Sequence, residues 1–365
     1  VIYRSSVAVL IVADEPKPFS RKLHDMEQFM RRALELATLG RGHVSPNPLV
    51  GCVIEHDGRI IGEGWHQRYG EAHAERNAIL SVKPEDEYRL PDSTAYVTLE
   101  PCSHYGKQPP CADLLIEKRV KRVVCCNDDP NPLVGGQGFA KLHNAGILVE
   151  TGMLANVGRE LNARFFTFFE QQRPYIILKW AETADGFIAG AGGKPVKISG
   201  ELSHRLVHRW RSEEDAIMVG TNTARTDNPR LNVRLVPGRN PTRIVIDKQL
   251  QLAADLNLFD NTQPTIAYNL LKSETVDQTI YAQLDPDKPL LPQLLADLYE
   301  RRIQSVLVEG GTTLLQSFME AGRWDELRVF RSQTVLGEGI PAPRVRGTLV
   351  SRQRVGNDEL TLYKP

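Results

Sequence analysis

Apolar positions along the chain recur with two periods. From Met26 to Leu39 they fall at Phe29, Met30, Ala33, Leu34 and Ala37, the spacing of one helix face, and Gly40 stops the run. Leu49 to Ile54 reads as a strand, Asp57-Gly58 as a hairpin turn, and Arg59 to Glu63 as the return strand. Helices are predicted over Ala72 to Leu80, Ala112 to Glu117 and Phe139 to Asn144. Strands are predicted over Ala95 to Leu99, Arg122 to Cys126 and Ile147 to Glu150. Strands alternating with helices predict an α/β layer with a largely parallel sheet.

The pattern breaks at the polar, proline-containing stretch Glu170-Gln171-Gln172-Arg173-Pro174, and a fresh strand follows over Tyr175 to Lys179. The boundary is placed there. The expected units are an extension (1–23), a first domain (24–172) and a second domain (173–365). The second unit alternates again: strands over Ala216 to Gly220, Arg243 to Ile246 and Ser305 to Val308, then a helix from Thr312 to Ala321. Leu252 to Pro292 is irregular in period, and no function is read in it.

Composition narrows the class. The 365 residues are 41% hydrophobic and 25% charged, an ordinary globular balance. With 45 basic and 45 acidic side chains the net charge is zero, which argues against duplex nucleic acid as the main ligand. No run has the length of a membrane span. The apolar run Val7 to Val12 is short and is followed by Asp14 and Glu15, so it reads as an extension rather than a secretory leader. The five cysteines do not make a disulfide framework. A cytoplasmic setting is expected, where thiols stay reduced and can bind metal.

The densest chemistry is His73-Ala74-Glu75 at a helix start, then Pro101-Cys102, then Cys111. One imidazole and two thiolates fill three zinc positions and leave the fourth for water. Glu75, two residues from the histidine, is placed to take the water's proton and hand it to a leaving amine. Zinc deaminases carry H-x-E followed by P-C-x-x-C. Here eight residues separate the cysteines, so a loop must carry Cys102 out and back, with Pro109-Pro110 stiffening its return. Cys52, Cys125 and Cys126 read as buried, inert thiols. Gly135-Gly136-Gln137-Gly138 reads as a turn before a helix, because it lacks the dinucleotide-loop spacing.

The chain resembles the bifunctional riboflavin-biosynthesis deaminase/reductase family. The resemblance is carried by Ser45-Pro46-Asn47-Pro48-Leu49-Val50-Gly51, Gly62-Glu63-Gly64-Trp65-His66, His73-Ala74-Glu75, Thr98-Leu99-Glu100-Pro101-Cys102-Ser103-His104, Pro109-Pro110-Cys111 and Asp129-Pro130-Asn131-Pro132. It implies a cytidine-deaminase-like three-layer domain followed by a dihydrofolate-reductase-like domain. It also implies zinc on His73, Cys102 and Cys111, catalysis by Glu75, and a substrate pocket lined by Asn47, His66, His104, Lys107, Asp129 and Asn131. Lys107 is a candidate phosphate partner; the alternative is a solvated loop charge.

In the second half, Val306-Leu307-Val308-Glu309-Gly310-Gly311-Thr312-Thr313-Leu314 is a strand, a glycine pair and a helix start. It reads either as a phosphate-binding turn or as a plain tight turn. The resemblance favours the first and implies NADPH. Carried over, Ala181, Thr223, Asp227, Gly311, Thr312, Thr313, Leu314, Leu315, Gln316 and Ser317 would hold the cofactor. Lys179, Arg211, Leu231, Arg234 and Glu309 would hold substrate, with the arginines suited to a ribose phosphate or else engaged in salt bridges. The family commonly reads Ser-x-Trp-Ile where this chain has Pro195-Val196-Lys197-Ile198. Pro195 loses a hydroxyl toward substrate, and Lys197 replaces an indole toward the cofactor. Lys248 is a further candidate for the cofactor's 2′-phosphate.

The expectation is therefore a cytoplasmic bifunctional enzyme. It deaminates 2,5-diamino-6-ribosylamino-4(3H)-pyrimidinone 5′-phosphate with water activated at zinc, then uses NADPH to reduce the ribosyl chain to ribityl. Small molecules are the expected partners, without nucleic acid or membrane, and the resemblance implies a homodimer. The alternatives are an active deaminase with an impaired reductase, a nucleic-acid base deaminase, and a structural zinc protein.

Overall fold

The computed structural model describes residues 18–365 apart from Lys107, Leu133 and Pro195. The apolar run Val7 to Val12 lies outside the described residues.

The first half runs α1 (Pro18–Thr38), β1 (Gly51–His56), β2 (Arg59–Trp65), α2 (Ala74–Leu80), β3 (Thr94–Val97), α3 (Cys111–Glu117), β4 (Arg122–Cys125), α4 (Gln137–Asn144), β5 (Leu148–Thr151), α5 (Ala155–Leu161) and α6 (Ala163–Gln171). Its sheet has the order β2-β1-β3-β4-β5. The expected largely parallel sheet is corrected to a mixed one. The hairpin at Asp57 and Gly58, both left-handed, sets β2 antiparallel to β1, and β3, reached through α2, is also antiparallel to β1. Parallel pairing is confined to β3, β4 and β5.

Alternation of side chains along these strands builds three layers. Cys52 and Ile54 pack with Ala78, Ala112 and Leu115 on one face, while Val53 packs with Met30 and Ala33 on the other. Glycine lets the helices approach: a Cβ at Gly51 would lie 1.9 Å from the Ala33 carbonyl oxygen, and one at Gly64 2.3 Å from the Ala78 nitrogen. That contact seats α2, and with it His73 and Glu75, against the sheet.

The second half runs β6 (Tyr175–Glu182), β7 (Phe187–Ala189), α7 (Glu201–Glu213), β8 (Ala216–Gly220), α8 (Thr221–Asp227), β9 (Thr242–Ile246), β10 (Thr265–Asn269), β11 (Glu274–Val276), β12 (Thr279–Gln283), α9 (Leu290–Glu300), β13 (Ser305–Glu309), α10 (Thr312–Glu320), β14 (Glu326–Arg331), β15 (Ile340–Pro341), β16 (Thr348–Val355) and β17 (Asp358–Lys364). Ten strands form one sheet in the order β11-β12-β10-β9-β8-β13-β6-β14-β17-β16. Pairing is parallel from β12 to β14, and β11, β16 and β17 run antiparallel to their neighbours. The stretch expected to be irregular, Leu252 to Pro292, contains β10, β11 and β12, so that reading is corrected. The polar break at 170–174 begins in the last turn of α6, at Glu170 and Gln171, and its remaining three residues form the connection to β6.

The halves are pinned together by polar contacts. Arg164 on α6 forms a two-pronged ion pair with fully buried Glu214, its Nε donating to Oε2 at 2.6 Å. Gln304 Nε2 donates to the Pro46 carbonyl at 2.8 Å, and Arg239 Nε donates to the Gly42 carbonyl at 2.9 Å.

Candidate active sites

The start of α2 and the start of α3 meet over the end of β3. His73 Nδ1 lies 3.5 Å from Cys102 Sγ and 3.5 Å from Cys111 Sγ. All three donor atoms fall within 4.8 Å of one another. Two ligands at ordinary zinc–nitrogen and zinc–sulfur lengths in a tetrahedron are separated by about 3.6 Å, so the set fits the ion. The nine-residue step between the cysteines does not spread them: the Cys111 amide donates to Cys102 Sγ at 3.3 Å, and Ala112 N to the Cys102 carbonyl at 3.1 Å. The shared proton lowers Cys102 and raises Cys111, through their mutual hydrogen bond first. Their hydrogen-bond partner His73 is pushed up, mainly by Cys102.

Glu75 is 3% exposed on the first turn of α2. Burial, then the nearby Cys102, push its carboxyl up to about 7. A group with that affinity both takes and gives a proton near neutrality.

These residues open into a cavity of about 410 Å³ that also includes Asn47, His66, His104, Asp129 and Asn131. Five of the six expected substrate residues therefore share one space with the metal donors. Lys107 lies outside the described residues. His66 has a fixed tautomer: its Nδ1–H donates to the Ala72 carbonyl at 3.1 Å, so Nε2 accepts from Asn47 Nδ2 at 3.1 Å. Burial lowers its pKa and keeps it neutral. Asp129 is raised to about 6 by burial, and its Oδ1 accepts from the Asn131 amide at 2.8 Å.

Sequence reasoning missed two walls of the cavity. Phe165, Phe168 and Phe169 come from α6, whose Phe-Phe-Thr-Phe-Phe run was the available signal. Arg302 and Gln304 come from the second half, and no local pattern marks them.

The second constellation sits at the carboxyl ends of β6, β8 and β13, where open α/β sheets bind ligands. Gly310 and Gly311 have φ of 99° and 76°, and a Cβ on Gly310 would lie 2.9 Å from Thr223 Cγ2. The N-terminus of α10 has no side-chain cap, which leaves its amides free for an anion. This cradle fits a cofactor phosphate, and Thr223 lies against the glycine turn. Thr312 Oγ1 donates to the Pro341 carbonyl at 2.9 Å and Ser317 Oγ to the Leu314 carbonyl at 2.7 Å. Gln316 Oε1 accepts from the Arg344 amide at 3.2 Å. Thr313 is exposed and Leu314 half-buried. Leu315 is fully buried in the core, so its side chain is not available to a cofactor.

Glu309 and Lys179 are register partners on β13 and β6. Arg211 holds Glu309 with both prongs, Nε to Oε1 at 2.9 Å and Nη2 to Oε2 at 2.8 Å. Burial would raise Glu309, but Arg211 and Lys179 hold it at about 2. The Arg211 fork, expected on a phosphate, is thus engaged by Glu309. Arg234 is the more accessible of the two arginines, with Nη1 donating to Asn232 Oδ1 at 2.9 Å. Leu231 is buried with φ of 51°. Ala181 is half-buried, while Asp227, Lys197 and Lys248 are exposed; Pro195 lies outside the described residues. His208 on α7 went unnoticed. Its Nδ1 accepts from the Arg234 amide at 3.2 Å, and burial, then Arg211 and Arg234, depress it to about 4. The spacing His204, His208, Arg211 on one helix face was the readable signal.

Three soft donors and a buried carboxylate on the first layer define a zinc deaminase, here fused to a reductase with a phosphate cradle at its strand ends. Comparison with known proteins supports both halves. Residues 23–127 match the cytidine and deoxycytidylate deaminase zinc-binding region, and residues 174–360 match the RibD C-terminal domain. The chain is 39% identical to the riboflavin biosynthesis protein RibD of Actinobacillus pleuropneumoniae, over 92% of this chain and 94% of that one. It is likewise 39% identical to RibD of Aquifex aeolicus, over 86% and 88%. Among solved structures, Acinetobacter baumannii RibD superposes with a TM-score of 0.87 at 34% identity, covering 94% of this chain and 99% of that one. A Thermotoga maritima diaminohydroxyphosphoribosylaminopyrimidine deaminase/5-amino-6-(5-phosphoribosylamino)uracil reductase gives 0.85 at 37% identity, with the same coverage. The chain belongs to the RibD family of riboflavin-biosynthesis proteins. It is a bifunctional deaminase and reductase whose cofactors are zinc and NADPH.

Proposed function

We propose that the first half deaminates 2,5-diamino-6-ribosylamino-4(3H)-pyrimidinone 5′-phosphate and that the second reduces the ribosyl chain of the product to ribityl. The observation that carries this reading is the buried Glu75 beside three metal donors in one cavity with Asn47, His66 and Asp129. Zinc held by His73, Cys102 and Cys111 supplies the Lewis acidity that makes water nucleophilic near neutral pH. Glu75 takes the proton of the attacking water and passes it to the ring nitrogen beside the reacting carbon, then carries the remaining hydroxyl proton to the departing amine. The carbon–nitrogen bond breaks, ammonia leaves, and a ring carbonyl remains. Neutral His66 fixes Asn47 for the pyrimidine edge, with Asp129, Asn131, His104 and Lys107 completing the substrate contacts.

In the second half NADPH supplies the hydride for C1′ of the ribosylamino group. The amides from Gly311 to Ser317, with Ala181, Thr223, Asp227, Lys197 and Lys248, hold the cofactor. Glu309, locked by Arg211, faces the ribose with Lys179. Arg234 is the phosphate contact, and Leu231 and Pro195 are the remaining substrate residues of this reading. The reading keeps the division into 1–23, 24–172 and 173–365; its second boundary is supported by the change from α6 of the first half to β6 of the ten-stranded sheet, while α1 begins at Pro18, ahead of the first boundary. A cytoplasmic homodimer acting on small molecules, without nucleic acid or membrane, completes the reading. The cytoplasmic setting is supported by five free thiols and the exclusion of nucleic acid by zero net charge, while the homodimer rests on the family resemblance alone. Among the described residues no helix is long and apolar enough to cross a membrane.

Glu75→Gln tests the first half. Zinc content is expected to stay intact while ammonia release falls by about 10⁴-fold, since the group serves two proton transfers. Undiminished ammonia release overturns the mechanism.

A further inference from the structure

We propose that Arg302, a residue of the second half, binds the phosphate of the deaminase substrate, so that the deaminase pocket is completed across the boundary between the halves. The inference rests on the substrate class proposed above.

Arg302 lies in the turn between α9 and β13, yet it lines the same cavity as His73, Glu75 and Asn47. Its placement there is enforced. Its φ of 60° is left-handed, which a non-glycine residue rarely adopts. The turn is closed by its amide donating to the Tyr299 carbonyl at 2.9 Å and by Ile303 N donating to the Leu298 carbonyl at 3.0 Å. Two residues on, Gln304 Nε2 clasps the Pro46 carbonyl at 2.8 Å, next to the substrate residue Asn47. Phe168 packs on Tyr299 with ring centroids 4.5 Å apart, which fixes the same turn from the other side.

Charge gives this placement a purpose. The described wall of the cavity contains the carboxylates of Glu71, Glu75, Glu100 and Asp129, and Arg302 is the one lysine or arginine among its described residues. A dianionic ester entering beside those acids needs a compensating cation. The neighbouring Arg301 is spent on Asp297, its Nε donating to Oδ2 at 2.6 Å. The exposed Arg302 guanidinium makes no ion pair or side-chain hydrogen bond among the described residues, so its fork is free for phosphate oxygens.

The test measures ammonia release without NADPH from the phosphorylated substrate and from its dephosphorylated nucleoside. Arg302→Asn and Arg302→Gly both suit the left-handed backbone and keep the fold. For the phosphorylated substrate they are expected to raise KM about 10- to 100-fold with kcat little changed. For the nucleoside KM stays within about twofold, and Arg302→Lys recovers most of the loss. An unchanged KM for the phosphorylated substrate, or equal losses for both substrates, overturns the proposal. Titration calorimetry on the Glu75→Gln protein makes the same comparison without turnover. There, a phosphorylated-substrate isotherm indifferent to Arg302→Asn also overturns it. Wild-type protein that releases no ammonia from the phosphorylated substrate overturns the substrate assignment instead, and the calorimetric pair still decides Arg302.

Discussion

Glu100 lines the wall of the deaminase pocket, 4% exposed, and both oxygens of its carboxylate accept from backbone amides. Gly138 N donates to Oε1 at 2.9 Å and Phe139 N at 3.4 Å, while Gly136 N reaches Oε2 at 2.9 Å and Asp129 N at 3.3 Å. Three of these amides belong to the start of α4, whose first turn has no other side-chain cap, so the negative charge also meets the positive end of the helix. The fourth fixes Asp129, a substrate residue. Glu100→Gln keeps the shape but turns an NH2 group toward two donors. Two charge-assisted bonds are lost and two buried amides go unpaired. At roughly 1.5 to 3 kcal/mol for each lost bond, the cost is about 3 to 6 kcal/mol. For a unit of this size that is a fall in Tm of about 6 to 24 °C. Scanning calorimetry should show it in the transition of the first half, with KM for deamination raised and NADPH oxidation unaffected. A Tm within about 2 °C of wild type refutes the assignment of Glu100 as the clamp of this loop.

Two further outcomes follow from buried charge and from close backbone approach. Burial would raise Glu214, but Arg164 holds it at about 2, against an unfolded value of about 4.3. Its contribution is therefore fully present above the unfolded value and is lost as pH falls toward 2. Urea melts of the wild type should lose about 3 kcal/mol over that window, and Glu214→Gln should remove that part of the acid dependence. Gly311→Ala places a Cβ 3.3 Å from Thr223 Oγ1 at φ of 76°, so KM for NADPH should rise at least about 10-fold with deamination unchanged, as followed by absorbance of the cofactor.

The parts of the fold visible in sequence were those that depend on short-range pattern. The Asp57-Gly58 turn needs two left-handed residues in succession, and few dipeptides offer that, so the hairpin of β1 and β2 was readable, whereas the bulge between Ile54 and Glu55 that shifts its register was not. β10 and β12 were not, because Thr265 to Asn269 and Thr279 to Gln283 mix polar and apolar residues while their parallel pairing buries most of β10. Both faces of β10 are covered, so no alternation marks it. α6 hid for the opposite reason: its phenylalanines serve both the core and the cavity, and the polar Glu170-Gln171 end looked like a linker.

The site divides along the same line. His73, Glu75, Cys102 and Cys111 were legible because metal chemistry restricts residue type and because the ends of α2 and α3 converge on one point. The engagement of Arg211 by Glu309 was not, since it depends on α7 crossing the carboxyl end of β13 at a separation of 98 residues. Arg302 is further still from any motif. An arginine in a turn after a helix carries no local sign of function, and it becomes meaningful only when Gln304 ties that turn to Pro46, 258 residues away. The two halves are thus joined at the deaminase pocket itself. A substitution that loosens the clasp, far in sequence from any zinc ligand, should impair deamination before it impairs reduction.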